Sequence, residues 1–143
     1  MQRVLTLCIG NICRSPLAHV ALARALPGKE VVSAGLRALV GRPADPTSVQ
    51  IANENGLDLS THRAQQVAPW MCQRADVIFV METLHKQMLE QQYPIVRGKV
   101  YRLGHFSDFD IADPYQRQRS AFDAAWLAIQ QGVEQWASRL KKM

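Results

Sequence analysis

The sequence predicts one α/β domain built on a four-stranded parallel sheet with helices on both faces. Short, nearly continuous apolar runs alternate with segments of helical periodicity along the whole chain. Strands with such runs are covered on both faces, and the alternation of strands with helices favours parallel pairing. The 143 residues fit a single domain and contain no internal repeat.

The first half of the chain predicts two strands and two helices. Residues 4–8 (VLTLC) are mostly apolar and predict a buried strand. Ser15-Pro16 is typical of an N-cap followed by the first helical position, and Pro27-Gly28 ends that helix. A second strand at residues 31–34 and a helix from Thr47 to Asn55, stopped by Gly56, follow.

The second half predicts two more strands and two more helices. Apolar runs at residues 76–81 and 99–103 predict the third and fourth strands, with a helix over residues 84–92 between them. Residues 105–118 form a long polar segment, and loops of this length in compact domains are usually functional. The last helix has one apolar face, made of Phe122, Trp126, Ile129, Val133, Trp136 and Leu140. The sequence offers no reason for Gly132 within that face.

Composition and charge exclude several classes of protein. Three cysteines cannot all be used in paired bridges, so a disulfide scaffold is excluded and a reducing, cytoplasmic setting is predicted. The net charge of +5 is spread evenly over both halves of the chain, which argues against a nucleic-acid partner. Because no segment approaches the roughly 18 apolar residues of a membrane span, no membrane insertion is expected. The apolar run near the N-terminus is too short for a signal peptide.

The segment from Cys8 to Ser15 (CIGNICRS) lies between the first strand and the first helix, where α/β sheets bind ligands. Backbone N–H groups of such a loop bind an anion of phosphate size at the positive end of the helix. The Arg14 guanidinium adds two parallel hydrogen bonds, and Gly10 and Asn11 tolerate the positive φ that the loop demands. The predicted phosphate-binding residues are Ile9, Gly10, Asn11, Ile12, Cys13 and Arg14.

Cys8 is the predicted nucleophile of this loop. Its sulfur lies beneath the anion, where a helix N-terminus and nearby cations favour the thiolate. The Ser15 hydroxyl is expected to accept from a helix N–H and to donate to that thiolate. A nucleotide P-loop is excluded because Gly-Lys-Ser/Thr is missing. The cysteines and histidines lack the spacing of zinc ligands, so we expect no metal and no cofactor.

Asp113 is the predicted general acid. A phosphocysteine mechanism needs a group that protonates the leaving oxygen, and Asp113-Pro114-Tyr115 in the long late loop supplies a carboxyl group. Tyr115 offers an aromatic wall for a substrate that carries a ring.

These motifs resemble those of the low-molecular-weight protein tyrosine phosphatases, and the likeness covers essentially the whole chain, residues 1–143. Residues 8–16 resemble the signature loop of that family, and residues 113–115 resemble its general-acid loop. Ser33-Ala34-Gly35, Asp45-Pro46 and His62-Arg63-Ala64 match in order and spacing. The resemblance implies a flavodoxin-like, three-layer fold and hydrolysis of phosphotyrosine through a phosphocysteine. It assigns Cys8 as nucleophile, Arg14 as transition-state clamp and Asp113 as general acid.

The same resemblance implies roles for further residues. Together, Asn11, Ser15, Ser33 and His62 are expected to form a hydrogen-bond network that supports the loop. Leu39 and Val40 fall in the variable loop at the pocket mouth, so that they and Tyr115 are expected to form the pocket wall. Cys13 is the expected redox partner of Cys8, because a neighbouring thiol captures a sulfenic acid as a disulfide.

Within the family, residues 33–47, 98–106 and 111–115 are most similar to bacterial enzymes tied to capsule or exopolysaccharide production. Those enzymes act on autophosphorylating tyrosine kinases, so a phosphotyrosine protein of that kind is the expected partner. The alternative is a thiol-dependent arsenate reductase, whose relay needs two further cysteines. Here Cys13 lies inside the loop and Cys72 stands alone before the third strand. An inactive phosphotyrosine-binding module is a second alternative, although nucleophile, clamp and acid are all present.

Overall fold

A central four-stranded sheet, with every described pairing parallel, organises the molecule in the computed structural model, which describes residues 2–141. The strand order is β2-β1-β3-β4. The strands are β1 (Arg3–Cys8), β2 (Glu30–Gly35), β3 (Val77–Val80) and β4 (Val100–Arg102). Because the connections after β1 and β3 diverge, the loop that follows Cys8 lies at the topological switch point, where α/β sheets bind ligands.

Helices cover both faces of the sheet and confirm the predicted three-layer fold. They are α1 (Arg14–Ala25), α2 (Pro46–Glu54), α3 (Pro69–Arg74), α4 (Thr83–Gln92) and α5 (Arg119–Leu140). One core contains buried residues of α1, α2 and α5, and the other contains buried residues of α3 and α4. Alternate residues of β1 enter the two cores: Val4 and Cys8 enter the first, and Leu5 and Leu7 enter the second. This explains why the strand is apolar at nearly every position.

Some element boundaries differ from the sequence-based prediction. The short helix α3 was not predicted, because six residues with only Met71 and Cys72 buried are too few to show a helical period. The long late segment contains a 3-10 turn at His105–Ser107. Ser15 is not the N-cap of the first helix, which begins at Arg14 and shows no side-chain cap bond. The Ser15 hydroxyl instead contacts Cys8 Sγ and accepts a hydrogen bond from the Asn11 side chain.

The close packing of α5 against the end of β4 explains Gly132. A Cβ at this position would lie 2.7 Å from the carbonyl oxygen of Leu103. Glycine therefore allows the helix to approach the backbone after β4 at a distance that any other residue would prevent. Among the described residues, no helix combines the length and hydropathy of a membrane span.

Candidate active site

The loop after β1 is held by its carbonyl groups, which leaves its amides for a ligand. The carbonyls of Cys8, Ile9 and Gly10 accept hydrogen bonds from the N–H groups of residues 36, 37 and 39, at 2.9–3.0 Å. The Ile12 carbonyl accepts from the Asp45 N–H at 2.8 Å. Within residues 2–141, the N–H groups of residues 9–12 donate no backbone hydrogen bond. A run of such amides at the start of a helix is a cradle for an oxyanion.

Asn11 is the residue that shapes this loop. It has a φ of 60°, in the left-handed region, and its side chain is fully buried. The side-chain amide donates to Ser15 Oγ at 2.8 Å and to Ser33 Oγ at 3.2 Å, while Oδ1 accepts from the Gln65 N–H at 2.9 Å. These bonds hold a backbone conformation that most residues disfavour. Gln65 is a partner that the sequence did not indicate.

His62 completes this network from below the loop. Its Nε2 lies 2.7 Å from the Asn11 carbonyl oxygen. Burial is the main cause that lowers the pKa of His62; the bond to Asn11 opposes this effect, and Arg63 adds to it. His62 is therefore neutral at pH 7, and Nε2 must carry the hydrogen that it donates to the carbonyl. Partial burial and this bond distinguish His62 from an ordinary surface histidine.

The Cys8 thiol lies at the bottom of the loop, on the floor of the cradle. Its Sγ is 2.9 Å from Ser15 Oγ and 3.4 Å from the Ser15 backbone nitrogen. Because Ser15 Oγ already accepts from Asn11, its own hydrogen can be donated either to the sulfur or to the Ala34 carbonyl oxygen, which is farther away at 3.5 Å. The Ser15 hydroxyl therefore contacts the Cys8 sulfur and accepts a hydrogen bond from Asn11. Within residues 2–141 it does not accept from a helix N–H, contrary to the prediction.

Cys13 occupies the N-cap position of α1 and is buried. Burial, followed by the negative charges of Asp45 and Cys8, raises the pKa of the Cys13 thiol well above its ordinary value. Cys13 is therefore a protonated thiol at neutral pH.

Arg14 is buried, with only 1% of its surface exposed. Among the described residues, one edge of its guanidinium is bound to protein acceptors, and the other edge is not. Nη1 donates to Glu82 Oε2 and to the Ile111 carbonyl, both at 2.6 Å. Nη2 lies 3.7 Å from Asp113 Oδ2, and the buried Nε has no hydrogen-bond partner in the described structure. The Nε–Nη2 edge is the one with which a guanidinium binds an oxyanion through two parallel hydrogen bonds.

Glu82 and His85 lie behind this arginine, and neither was predicted. Glu82 follows β3 and is the N-cap residue of α4, but its side chain makes no cap bond and instead reaches Arg14. Nε2 of the buried His85 lies 3.3 Å from the same Glu82 oxygen. Burial and the Arg14 charge lower the pKa of His85, while the nearby Glu82 carboxylate opposes that shift. The position of Glu82 at the carboxyl end of a parallel strand was the available signal.

A cavity of about 170 Å³ opens above the Cys8 sulfur. Beside the loop, it is lined by Arg37, Leu39, Asp113 and Tyr115. Asp113 Oδ1 accepts from the Tyr115 N–H at 3.1 Å, and the carboxyl group is about half exposed. Leu39 and Tyr115 are thus in the predicted wall. Val40 is not among the lining residues and is 69% exposed, because Leu39 packs beside Gly10 and takes the inward position.

The third cysteine does not belong to this site. Cys72 is fully buried in the core formed with α3 and α4, whereas Cys8 and Cys13 belong to the core on the other face of the sheet. The sheet therefore separates Cys72 from the two loop cysteines. This arrangement does not supply the three-cysteine relay of a thiol-dependent arsenate reductase.

Comparisons with known proteins agree with this geometry. The chain is 46% identical over 143 residues to a probable low molecular weight protein-tyrosine-phosphatase, EpsP, of Ralstonia nicotianae, with 100% of this chain and 99% of the relative covered. The fold is similar to that of the tyrosine phosphatase Wzb from Escherichia coli K30 in complex with sulphate, with a TM-score of 0.93 and 37% identity. That match covers 97% of this chain and 98% of the other.

The fold is also similar to that of the YwlE arginine phosphatase from Geobacillus stearothermophilus, with a TM-score of 0.92 and 31% identity over 99% of this chain and 94% of the other. The family model described as low molecular weight phosphotyrosine protein phosphatase matches residues 3–143. The family resemblance is confirmed: this chain belongs to the low molecular weight phosphotyrosine protein phosphatases.

Proposed function

We propose that this chain hydrolyses phosphotyrosine in proteins through a phosphocysteine. In the first step the Cys8 thiolate attacks phosphorus, the bond from phosphorus to the tyrosine oxygen breaks, and Asp113 donates its proton to that oxygen. In the second step a water attacks phosphorus, the bond to sulfur breaks, and the Asp113 carboxylate accepts a proton from the water. Inorganic phosphate leaves, and the thiolate and the acid are restored.

The observation that carries the proposal is the convergence of donors above one thiol. The cavity over Cys8 is lined by Ile9, Gly10 and Ile12, whose N–H groups donate no backbone hydrogen bond in the described structure, and by Arg14, whose Nε has no partner there. Such donors stabilise the charge that develops on the phosphoryl oxygens in the transition state. Because Glu82 and Ile111 fix Nη1, the guanidinium is oriented before the substrate arrives.

The shape of the pocket supports an aryl phosphate as substrate. Leu39 and Tyr115 line the cavity and provide an apolar side and an aromatic side for a ring. Asp113 lies on the same rim, where a carboxyl group reaches the leaving oxygen.

We further propose that the physiological substrate is a tyrosine autokinase of an exopolysaccharide or capsule system and that the protein acts in the cytoplasm. Two features of the sequence support this role. The segments that resemble the exopolysaccharide- and capsule-associated enzymes include residues 33–47 and 111–115, which in the structure contain Leu39, Asp113 and Tyr115 of the pocket. The odd cysteine count fits a reducing compartment.

The test compares the parent chain with Cys8→Ser on matched phosphopeptides. The parent should hydrolyse a phosphotyrosine peptide, leave phosphoserine and phosphoarginine peptides of the same sequence unchanged, and reduce no arsenate. Cys8→Ser should have no turnover and should still bind vanadate, because the loop amides and Arg14 remain. EDTA should change nothing.

Substantial turnover by Cys8→Ser would exclude the phosphocysteine mechanism. Preference for phosphoarginine, or reduction of arsenate with a thiol, would replace phosphotyrosine hydrolysis with another reaction of the same fold. Loss of activity in EDTA that a metal restores would show a metal-dependent phosphatase.

A further inference from the structure

Arg37 lines the catalytic cavity without belonging to the phosphate-binding loop. Its N–H donates to the Ile9 carbonyl at 2.9 Å, so its backbone is fixed beside that loop. Its side chain is exposed and forms no hydrogen bond or ion pair within the described range 2–141. Because the Arg37 guanidinium has no partner within the described residues, it is available to bind a part of the substrate that extends out of the pocket.

The side of the mouth that carries Arg37 is basic. Arg42 follows on the same segment, and Arg63 lies on the neighbouring one, since the Ala64 N–H donates to the Arg42 carbonyl at 2.8 Å. Both arginines are exposed, and neither forms an ion pair in the described structure. The cavity is also lined by Asp113 and Tyr115, which belong to a different segment of the chain. A peptide with acidic residues over the basic side would meet attraction there and avoid repulsion from Asp113.

We propose that Arg37 binds the carboxylate of an aspartate or glutamate within two residues of the phosphotyrosine, so that the enzyme prefers acidic phosphopeptides. The proposal rests on the proposed hydrolysis of phosphotyrosine. Two extended residues span roughly 7 Å, which limits the contact to positions close to the phosphorylated side chain. The planar guanidinium forms paired hydrogen bonds with a carboxylate, which a neutral amide does not match.

The size of the preference follows from the exposure of Arg37. Exposed ion pairs contribute modestly and are screened by salt, so the gain in kcat/KM is about threefold at low ionic strength. A ratio of two peptides measured with the same enzyme cancels any general loss of activity in a variant.

The experiment measures kcat/KM for peptides in which a single Glu or Gln occupies position −2, −1, +1 or +2 relative to phosphotyrosine. For the parent chain, Glu should exceed Gln about threefold in at least one position. In Arg37→Gln that ratio should fall to about one. In Arg37→Glu a peptide with Lys in the same position should be a better substrate than the Glu peptide. The matched control is Arg42→Gln, which removes the same charge from the same segment outside the cavity and should lower the ratio far less than Arg37→Gln does.

Any one of three outcomes would overturn the proposal. The first is that the parent chain shows no preference for Glu over Gln in any position. The second is that Arg37→Gln keeps the parental ratio, and the third is that Arg42→Gln lowers the ratio as much as Arg37→Gln does. In each case hydrolysis of the Gln peptides by the parent chain reports separately on the proposed function, which stands if they are cleaved. A parent chain that cleaves no phosphotyrosine peptide removes the proposed function and this preference together.

Discussion

Arg14 shows how one buried side chain satisfies both structural and catalytic demands. Burying a cation is costly unless it is paired, and the Glu82 carboxylate at 2.6 Å supplies the partner. The same bond uses Nη1 and leaves the opposite edge of the guanidinium for an oxyanion. Glu82 in turn lies 3.3 Å from Nε2 of the buried His85. The orientation of the clamp therefore depends on a chain of contacts that runs through α4.

Asp113→Asn should lower turnover by about 10²–10⁴-fold for aryl phosphates with poor leaving groups, because the amide cannot donate a proton to the departing oxygen. The loss should be much smaller for good leaving groups, which depart without protonation. The measurement is kcat across a series of aryl phosphates of graded leaving-group pKa.

The matched control for that series is Asp108→Asn, which removes an exposed carboxylate from the same late segment, outside the cavity. It should leave the dependence on the leaving group as in the parent. A rate loss in Asp113→Asn that is equal across the series would assign the proton to another group.

Mild peroxide should inactivate the enzyme reversibly through a disulfide between Cys8 and Cys13. Cys8, which lines the cavity, is oxidised to a sulfenic acid; the Cys13 sulfur on the same loop then attacks that sulfur, the disulfide forms and water leaves. Cys13→Ser should retain activity but fail to recover with added thiol after oxidation.

Peptide mapping identifies the bond directly. Cys72→Ser is the control, because that cysteine lies in the other core and should not affect recovery. Full recovery of oxidised Cys13→Ser would show that Cys13 does not protect Cys8.

At the scale of elements, β2 approaches the phosphate-binding loop too closely for any side chain at Gly35. A Cβ there would lie 2.5 Å from the Ile9 carbonyl oxygen and 3.0 Å from Ala38. Gly35→Ala should destabilise the protein by about 1–3 kcal/mol. It should also lower kcat/KM by roughly tenfold or more, since the carbonyl that must move belongs to the catalytic loop.

A double variant separates the two contacts. Ala38→Gly removes only the Ala38 Cβ; the Ala38 Cα remains 3.0 Å from the added Cβ and the Ile9 carbonyl oxygen remains at 2.5 Å, so Gly35→Ala with Ala38→Gly should remain impaired. Urea unfolding and phosphopeptide kinetics provide the readouts. Recovery of parental kcat/KM in the double variant would show that the Ile9 carbonyl is not the obstacle.

Sequence patterns predicted the elements whose packing is regular along the chain. The four strands and the helices α1, α2, α4 and α5 each carry an apolar pattern long enough to read. The six residues of α3 do not, and its cover of the second core depends on tertiary packing. Gly132 was inexplicable for a related reason, because its neighbour, the Leu103 carbonyl, comes from another element.

The residues of the candidate site likewise fall into two groups, those that local sequence motifs predict and those that only the fold brings to the site. Cys8, Arg14 and Asp113 stand in local motifs whose chemistry is evident from the residue types. Glu82, His85, Gln65 and Arg37 reach the site only through the fold. A lone glutamate after a strand or an arginine in a loop has no local motif, so these four residues were not predicted. The loop-supporting residues Asn11, Ser15, Ser33 and His62 were predicted, because the family resemblance implied them.

At the scale of the whole molecule, histidine burial makes stability depend on pH. Burial is the leading cause that lowers the pKa of His19, His62 and His85. In the unfolded chain histidines take up protons near pH 6.5, whereas these three resist protonation in the native state. Their contribution to stability is full above pH 6.5 and is lost as the pH falls below it towards the lower native pKa values.

The free energy of unfolding in urea should therefore decrease from pH 7.5 to pH 5.5. The carboxyl groups whose pKa values are lowered, Asp58, Asp76 and Asp110, affect stability at lower pH, near and below the unfolded value. His19→Gln should reduce the slope. An unchanged or increasing free energy of unfolding over this range would contradict the assignment of neutral, buried histidines.

The hydrogen bond from Arg14 to the Ile111 carbonyl couples oxyanion binding at the guanidinium to the ordering of the segment that carries the general acid. Asp113 lies two residues beyond that carbonyl, so an oxyanion that immobilises the guanidinium also steadies residues 111–115. Linkage is reciprocal: the factor by which a bound oxyanion favours the ordered segment is the factor by which the ordered segment favours oxyanion binding. We expect vanadate to slow amide hydrogen exchange at residues 111–115 in Cys8→Ser. Equal exchange with and without vanadate would mean that the clamp and the acid act independently.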